Sequence, residues 1–461
     1  MNRNKVIFKN TIIFFIGNFG SKILAYIMVL VYTHYITTSD LGYYDLILTT
    51  VSLLQPLISM AFDEGEYRWL IGAEQSERQS IIATCIKTVF LTCIGAIGIL
   101  IILDFQFHFR YVGLIGLYVV SLLIYQMFLN AVRGMTNNKL YAISGIINSG
   151  FLLALELFGL IVLKLGIEAL LASAIIANVL TIIVIYNKQK EFHGLIRKKY
   201  DKVLAKKIFQ YSMPLVPNQI SWWIVNFSDR YIILFFLGTS FNGIYAISNK
   251  FPTIVTTITG IIYLALQETV IKEYDSPDRD VFYSKVFKNY FCFLFSIVMC
   301  AIPATKIVIE WFVSSAYTDA YKYMNFLYIS TVFSALSSFL GIGYQISKET
   351  KRSIRSTISA AAINMLINII LINQIGLHAA SLSTMISYMI LFIIRMIHSQ
   401  KYFSLNVEWM RFFALLILTL TVSAISYYTS VWLNLGLLLI VLLFALVFNR
   451  KMIMKITKLK G

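Results

Sequence analysis

Charge is scarce in this chain. Only 13 % of its 461 residues are Asp, Glu, Lys or Arg, and no stretch is polar enough to make a soluble domain of ordinary composition. With 58 % hydrophobic residues and a mean hydropathy of +0.75, the sequence is that of an integral membrane protein. Acidic residues are scarcer still, 22 against 39 basic ones, for a net charge of +17. In a soluble chain that balance would suggest nucleic acid. Here the basic residues gather in alternate loops, so no nucleic-acid partner is expected. Cysteine is limited to Cys85, Cys93, Cys292 and Cys300, all in apolar runs, with no CxxC pair and no His nearby. This excludes a disulfide framework and a metal site, and the four read as small apolar packing residues. There is no P-loop for ATP. Asp278-Arg279-Asp280 imitates a DxD metal motif but lies in a short loop without a nucleotide-binding unit, so neither an enzyme nor a cofactor is expected.

What the chain has in abundance is long apolar runs. A spanning helix needs about 20 apolar residues, and fourteen runs qualify: 10–36, 42–62, 80–103, 112–132, 141–163, 167–187, 209–237, 242–270, 286–309, 323–346, 354–373, 377–398, 410–428 and 432–449. The predicted fold is therefore all-α and polytopic. The first run carries Lys22 and lacks a small-residue cleavage site, so it reads as a span and not as a cleavable signal. Lys and Arg resist translocation. Their clustering at 3–9, in 188–207, around Lys348, Lys351 and Arg352, at Arg395 and in the tail Arg450-Lys451-Lys455-Lys458-Lys460 puts both termini in the cytoplasm. Arg110, Lys164, Lys306 and Lys322 are the few basic residues left for the outer side.

A shift of 201 residues lays Gly42 and Tyr44 on Gly243 and Tyr245, Arg78 on Arg279 and Lys87 on Lys288. Drifting to 210, it lays Gly166-Ile167-Glu168-Ala169 on Gly376-Leu377-His378-Ala379. The expected organisation is an N-terminal six-helix bundle (1–187), a basic cytoplasmic linker (188–207), a C-terminal six-helix bundle (208–400), and two extra helices with a basic tail (401–461). Six is even, so the bundles would be parallel repeats about an axis normal to the membrane. Transporters of that design bind substrate between halves that rock against each other. The linker's length and charge suit an amphipathic helix on the membrane surface.

Ionisable residues within the runs concentrate in the first, second, seventh and eighth. A charge at the centre of a spanning helix costs roughly 2.5–3.5 kcal/mol on insertion scales, so such residues face a partner or a hydrated path. In the first run Asn18, Lys22 and Tyr26 recur every fourth residue; in the seventh, Gln219, Trp222, Asn226 and Asp229-Arg230 share one face. Lys250 lies in the eighth and Asp45 near the outer end of the second. These predict a cavity lined by Asn18, Lys22, Tyr26, Trp222, Asn226, Asp229, Arg230, Tyr245 and Lys250. The competing reading is that Asp229 neutralises Lys22 or Lys250 and glues helices together. Proton or sodium coupling, if present, would fall to Asp229, Glu156 or Asp45, whereas Asp63, Glu64 and Glu268 read as solvated helix ends. Trp69, Trp311, Trp409 and Trp432 read as interface anchors. Pro56, Pro214, Pro217, Pro252 and Pro303 are expected to interrupt spans.

The passage from the seventh run into the eighth, PLVP followed by SDRYII, FLG and GIYAISNKFP, resembles the polysaccharide-export flippases of the Wzx type. So does the opening, GNFGSKILAYIMVLVYTHYITTSDLGYYDLILT, and the resemblance extends over essentially the whole chain in span order and length. These flippases share a superfamily with the MATE drug exporters and the lipid II flippases. The resemblance implies a twelve-helix core extended to fourteen, and outward movement of an undecaprenyl-pyrophosphate-linked oligosaccharide. It also implies a multi-pass protein of the bacterial inner membrane serving O-antigen, capsule or exopolysaccharide synthesis, with polysaccharide polymerase machinery as a further partner. Lys22, Asp229, Arg230 and Lys250 match the family's cavity charges. Two alternatives stay open: a cation-coupled MATE-type multidrug exporter, which basic cavity residues disfavour, and a lipid II flippase.

Overall fold

In a lipid environment each backbone N–H and C=O must be satisfied within its own segment, which for long Leu, Ile, Val and Phe runs leaves the α-helix. The computed structural model describes residues 26–347 and 349–450, and all regular elements among them are helical. Eleven of the helices are long and apolar enough to cross a membrane, and a twelfth is added if Lys202–Ile224 and Asn226–Leu237 count as one span. The chain is a multi-pass membrane protein. It divides into two compact units. One holds Tyr43–Trp223 with the residues up to Ile36, the other Ile224 onward with the short segment Thr37–Gly42.

The first unit is built from the helical residues 26–35, most of α1 (Thr38–Ser59), and α2 (Phe62–Leu70), α3 (Gln75–Phe107), α4 (Val112–Gly134), α5 (Asn138–Leu157), α6 (Ile167–Lys188) and α7 (Lys202–Ser212). Its core runs through Phe62, Leu70, Cys85, Phe128, Phe192 and Ile208. Phe192 belongs to the basic stretch expected to be an amphipathic helix on the membrane surface. Instead its ring stacks on Phe128 with centroids 4.4 Å apart, and Lys87 Nζ donates to the carbonyl of Ile196 at 3.1 Å. The stretch comprises two short turns, Lys190–Phe192 and Leu195–Arg197, and the helix begins only at Lys202. Asp201 sets that start, its Oδ1 accepting from the backbone N–H groups of Val203 and Leu204 at 2.9 and 3.0 Å.

α8 (Val216–Leu237) carries the chain into the second unit, which continues with α9 (Thr239–Lys250), α10 (Pro252–Lys272), α11 (Arg279–Phe312), α12 (Tyr321–Ile346), α13 (Thr350–Ile375), α14 (Leu377–Ser399), α15 (Trp409–Tyr428) and α16 (Val431–Phe448). The eighth run, expected as one span, is two helices parted at Phe251, because Pro252 has no N–H to continue the first. Pro56 and Pro303, expected to interrupt spans, lie inside continuous helices, and Pro214 occupies the short turn Met213–Leu215 that precedes α8. The most apolar stretch of Ser315–Ile346, which includes α12, is 83 % buried against 11 % for that of α16, so α12 is the centre of the unit and α16 its exposed margin.

The two extra helices are fastened to α11. Phe412 of α15 packs edge-on against Phe291 and Phe295. Lys306, expected on the outer surface, is buried. Its ammonium donates to the Ser426 carbonyl at 2.7 Å and lies over the Tyr321 ring. A cation on the last carbonyls of α15 is where the helix dipole favours one. Arg395, counted by sequence among cytoplasmic charges, is also buried. It donates to Ser337 O, Ser356 Oγ and Thr357 Oγ1 and so ties α14 to α12 and α13.

Within the second unit the start of α1 and the start of α9 touch through glycines. A Cβ on Gly42 would lie 1.9 Å from the Thr239 carbonyl, and one on Gly243 would lie 2.0 Å from the Thr38 carbonyl. Asn242 Nδ2 donates to the Gly42 carbonyl at 2.9 Å and the Ser39 and Thr239 hydroxyls meet at 2.8 Å. Only glycine permits this backbone approach.

Candidate functional site

The described acids expected to matter form two separate groups. In the second unit, Asp229 and Arg230 are consecutive on α8 and both buried. Arg230 Nη1 donates to Asp229 Oδ1 at 2.7 Å and to the Asn226 carbonyl at 3.0 Å. Tyr245 of α9 has no exposed surface, and its hydroxyl donates to Asp229 Oδ2 at 2.6 Å. Both carboxylate oxygens are thus engaged, one by a cation and one by a phenol, which is what a buried charge requires. The guanidinium also lies over the rings of Phe227 and Tyr245 at 5.2 and 5.6 Å. Asn226 closes the network, its Oδ1 accepting from the Tyr388 hydroxyl of α14 at 3.0 Å.

The competing reading had Asp229 neutralise Lys22 or Lys250; among the described residues its ion-pair partner is its neighbour Arg230. Tyr245, expected to line the cavity, is here fully buried as a hydrogen-bond donor to Asp229. Tyr388 was missed, and its signal was weak: a Tyr seven residues before Arg395 on a helix that already carries several Ser and Thr. Lys250, half-buried at the last position of α9, holds a cation at that helix's C-terminal end.

In the first unit, Glu156 is buried on α5 and Asp45 half-buried on α1. Both lie within electrostatic reach of the Tyr44 hydroxyl, as do Tyr32 and Tyr118. Sequence named Asp45 and Glu156 separately; the structure places them around one tyrosine. The two adjacent tryptophans separate by role. Trp223 Nε1 donates to the Thr49 carbonyl and Ser52 Oγ at 3.0 Å each, fixing α8 to α1, while Trp222 is 42 % exposed. Tyr26 is half-buried. Asn18 and Lys22 lie outside the described residues, as does the side chain of Glu268.

A polar seam also crosses the first unit. Asn148 Nδ2 donates to Asn178 Oδ1 and Thr181 Oγ1 at 3.2 Å, and Asn178 Nδ2 donates to Ser121 Oγ at 3.3 Å. Gln55 donates to Gln126 between α1 and α4. Such bonds join apolar helices in lipid and bring no chemistry of their own. Among the described residues no group of three or more His, Cys, Asp or Glu side chains is placed to hold a metal ion.

Comparison with known proteins adds the following. A sequence model of the family described as polysaccharide biosynthesis protein matches residues 7–271. No curated protein sequence matches the chain. Among solved structures, the lipid II flippase MurJ in an inward closed conformation aligns with TM-score 0.70 at 14 % identity, over 96 % of this chain and all of that one. An inward-facing multidrug resistance MATE family transporter of the MOP superfamily aligns at 0.65 and 14 % identity, over 87 % and 95 % of the two chains. An outward-facing MATE family transporter aligns at 0.54 and 13 %, over 89 % and 96 %. At such identities the likeness is one of fold.

Proposed function

This chain belongs to the polysaccharide biosynthesis protein family, and from that premise we propose that it flips a lipid-linked oligosaccharide across the bilayer by alternating access. The substrate is an undecaprenyl-pyrophosphate-linked repeat unit, moved from the cytoplasmic to the outer leaflet of a bacterial inner membrane for O-antigen, capsule or exopolysaccharide synthesis. Both termini are cytoplasmic, and the working parts are the bundles 1–187 and 208–400. The observation that carries this reading is the family match across most of the first bundle and into the second, in a chain with a transporter fold.

The chemistry suits the cargo. A glycan is too polar to cross lipid unaided, and its pyrophosphate is anionic, while the polyprenyl chain can stay in the bilayer as the head passes. Lys22, Arg230 and Lys250 supply cations for the pyrophosphate, and Trp222, 42 % exposed, supplies an indole on which a sugar ring can stack. Asn226, Asp229 and Tyr245 hold Arg230 in place until an anion competes for it. An inside-negative potential adds about 2.3 kcal/mol per unit charge per 100 mV to the outward movement of an anion. Asp229 is already neutralised by Arg230, which disfavours this acid as a receptor for cationic drugs.

Deletion of the gene in its own host tests the reading. Complete lipid-linked repeat units should accumulate on the inner leaflet, surface polymer should be lost, and susceptibility to cationic dyes should not change. Unchanged lipid-linked sugar with raised dye sensitivity would move the assignment to drug export.

A further inference from the structure

Glu66 lies at the centre of α2 with no exposed surface, and among the described residues neither of its carboxyl oxygens has a hydrogen-bond partner. Its burial follows from Gly65. A Cβ there would meet Ser212 Oγ at 2.4 Å and Ile208 Cγ2 at 2.6 Å, so the missing side chain lets α7 settle directly on α2. Phe62 and Leu70, one turn to either side, belong to the hydrophobic core.

Among the described residues, the elements packed on α2 bring it no cation. From α3, Cys85 comes within electrostatic reach of Glu66, while Arg78 is tied to the Ala73 carbonyl and Glu191, and Lys87 to the Ile196 carbonyl. From α4, Arg133 is exposed and stacks on the Tyr67 ring, 4.5 Å from its centroid. α7 presents buried Ala205, Ile208 and Ser212, and its Lys206 and Lys207 are exposed. On α2 itself Glu64 and Arg68 are exposed, and the remaining neighbour is another acid, Asp63.

An ionised carboxylate without donor or counter-ion would bear its whole desolvation cost here, whereas a neutral carboxyl group bears that of one hydroxyl and one carbonyl. We propose that Glu66 is a proton-binding site, holding its proton at neutral pH in this conformation and releasing it to water by way of Asp63 when another conformation hydrates α2. Asp63 is suited to the relay. It is half-buried, with long contacts of 3.4 and 3.5 Å from Asn130 Nδ2 and Ser59 Oγ. Burial and neighbouring Glu64 push its carboxyl up to about 6. Burial, with Asp63 beside it, pushes Glu66 well above the ordinary carboxyl range. The proton is the only species transferred, and no co-reactant is needed. Only the release step rests on the transporter reading.

Infrared spectroscopy of the full chain in lipid nanodiscs tests the site without any transport measurement. The wild type at pH 7 should show a protonated-carboxyl C=O band that is absent in Glu66→Gln, fades on titration to higher pH, and is unchanged when sodium replaces choline. Glu66→Asp should shift the band, which identifies it even if the Gln variant folds poorly. Because the folded protein holds this proton more tightly than the unfolded chain, wild-type stability falls as pH rises toward the folded value. The thermal midpoint of Glu66→Gln relative to wild type should therefore increase with pH. Absence of any band sensitive to position 66 at pH 7 would overturn the proposal. So would a band that sodium removes at constant pH, which would make the site one for a metal cation. Loss of flipping with an intact band would count against the proposed function and leave the proton site standing.

Discussion

Asp229 and Glu66 are both buried acids, one in each unit, and their surroundings are opposites. Asp229 is ringed by a guanidinium and a phenol at 2.6–2.7 Å; Glu66 has neither a donor nor a cation among the described residues. Low dielectric allows two remedies for a buried carboxyl, a counter-charge or a proton, and the two units use one each. The difference separates a carboxyl held by a neighbouring cation from one left without any donor among the described residues.

The largest effect should come from removing the counter-charge. Arg230→Ala leaves Asp229 buried with its phenol alone and should cost about 3–5 kcal/mol of stability, read as the thermal midpoint of the protein in lipid. Arg230→Lys should recover part of it, because the charge returns without the planar fork. If Arg230→Ala proves as stable as wild type, Asp229 is not held by this pair and the contrast with Glu66 disappears.

Next is the glycine contact beside that network. Gly42→Ala drives a methyl group into the Thr239 carbonyl and should cost about 1–3 kcal/mol, whereas Gly145→Ala, where nothing lies within 4 Å, should be neutral or slightly stabilising. Lys306→Met removes the cation from the end of α15 and should cost up to about 2 kcal/mol, with the loop after Tyr428 becoming the first site of proteolytic cleavage. The smallest effect concerns Asp63. Its folded value is raised, so its contribution to stability is full at low pH and is lost as pH rises through about 6. Asp63→Asn should flatten that part of the stability profile and leave Arg230→Ala as damaging as before.

The helices were legible because apolar runs as long as Gln75–Phe107 or Arg279–Phe312 have few other structures open to them in lipid. Less legible was how polar residues inside them are satisfied. Asp229 and Arg230 are adjacent in sequence, and neighbours on a helix ordinarily point about 100° apart, so the sequence suggested a partner on another helix. The long Arg side chain curls back instead. The basic linker read as an amphipathic surface helix because its charges dominate, while a side chain that anchors it, Phe192, looks ordinary in the sequence. Glu66 escaped notice for a similar reason. Asp63 and Glu64 mark a solvated helix end, and only the packing of α7 onto Gly65 shows that the same short helix also has a dry face.

The central claim is that this chain moves a lipid-linked oligosaccharide from one leaflet to the other. The most direct measurement is a flipping assay with the purified protein in liposomes whose inner leaflet carries an undecaprenyl-pyrophosphate oligosaccharide, exposure being read by an external glycan-cleaving enzyme. Wild-type protein should render the inner pool accessible at a rate well above protein-free liposomes, and Lys22→Ala should slow it while inserting normally. An inner pool that stays protected in the presence of folded wild-type protein would contradict the account.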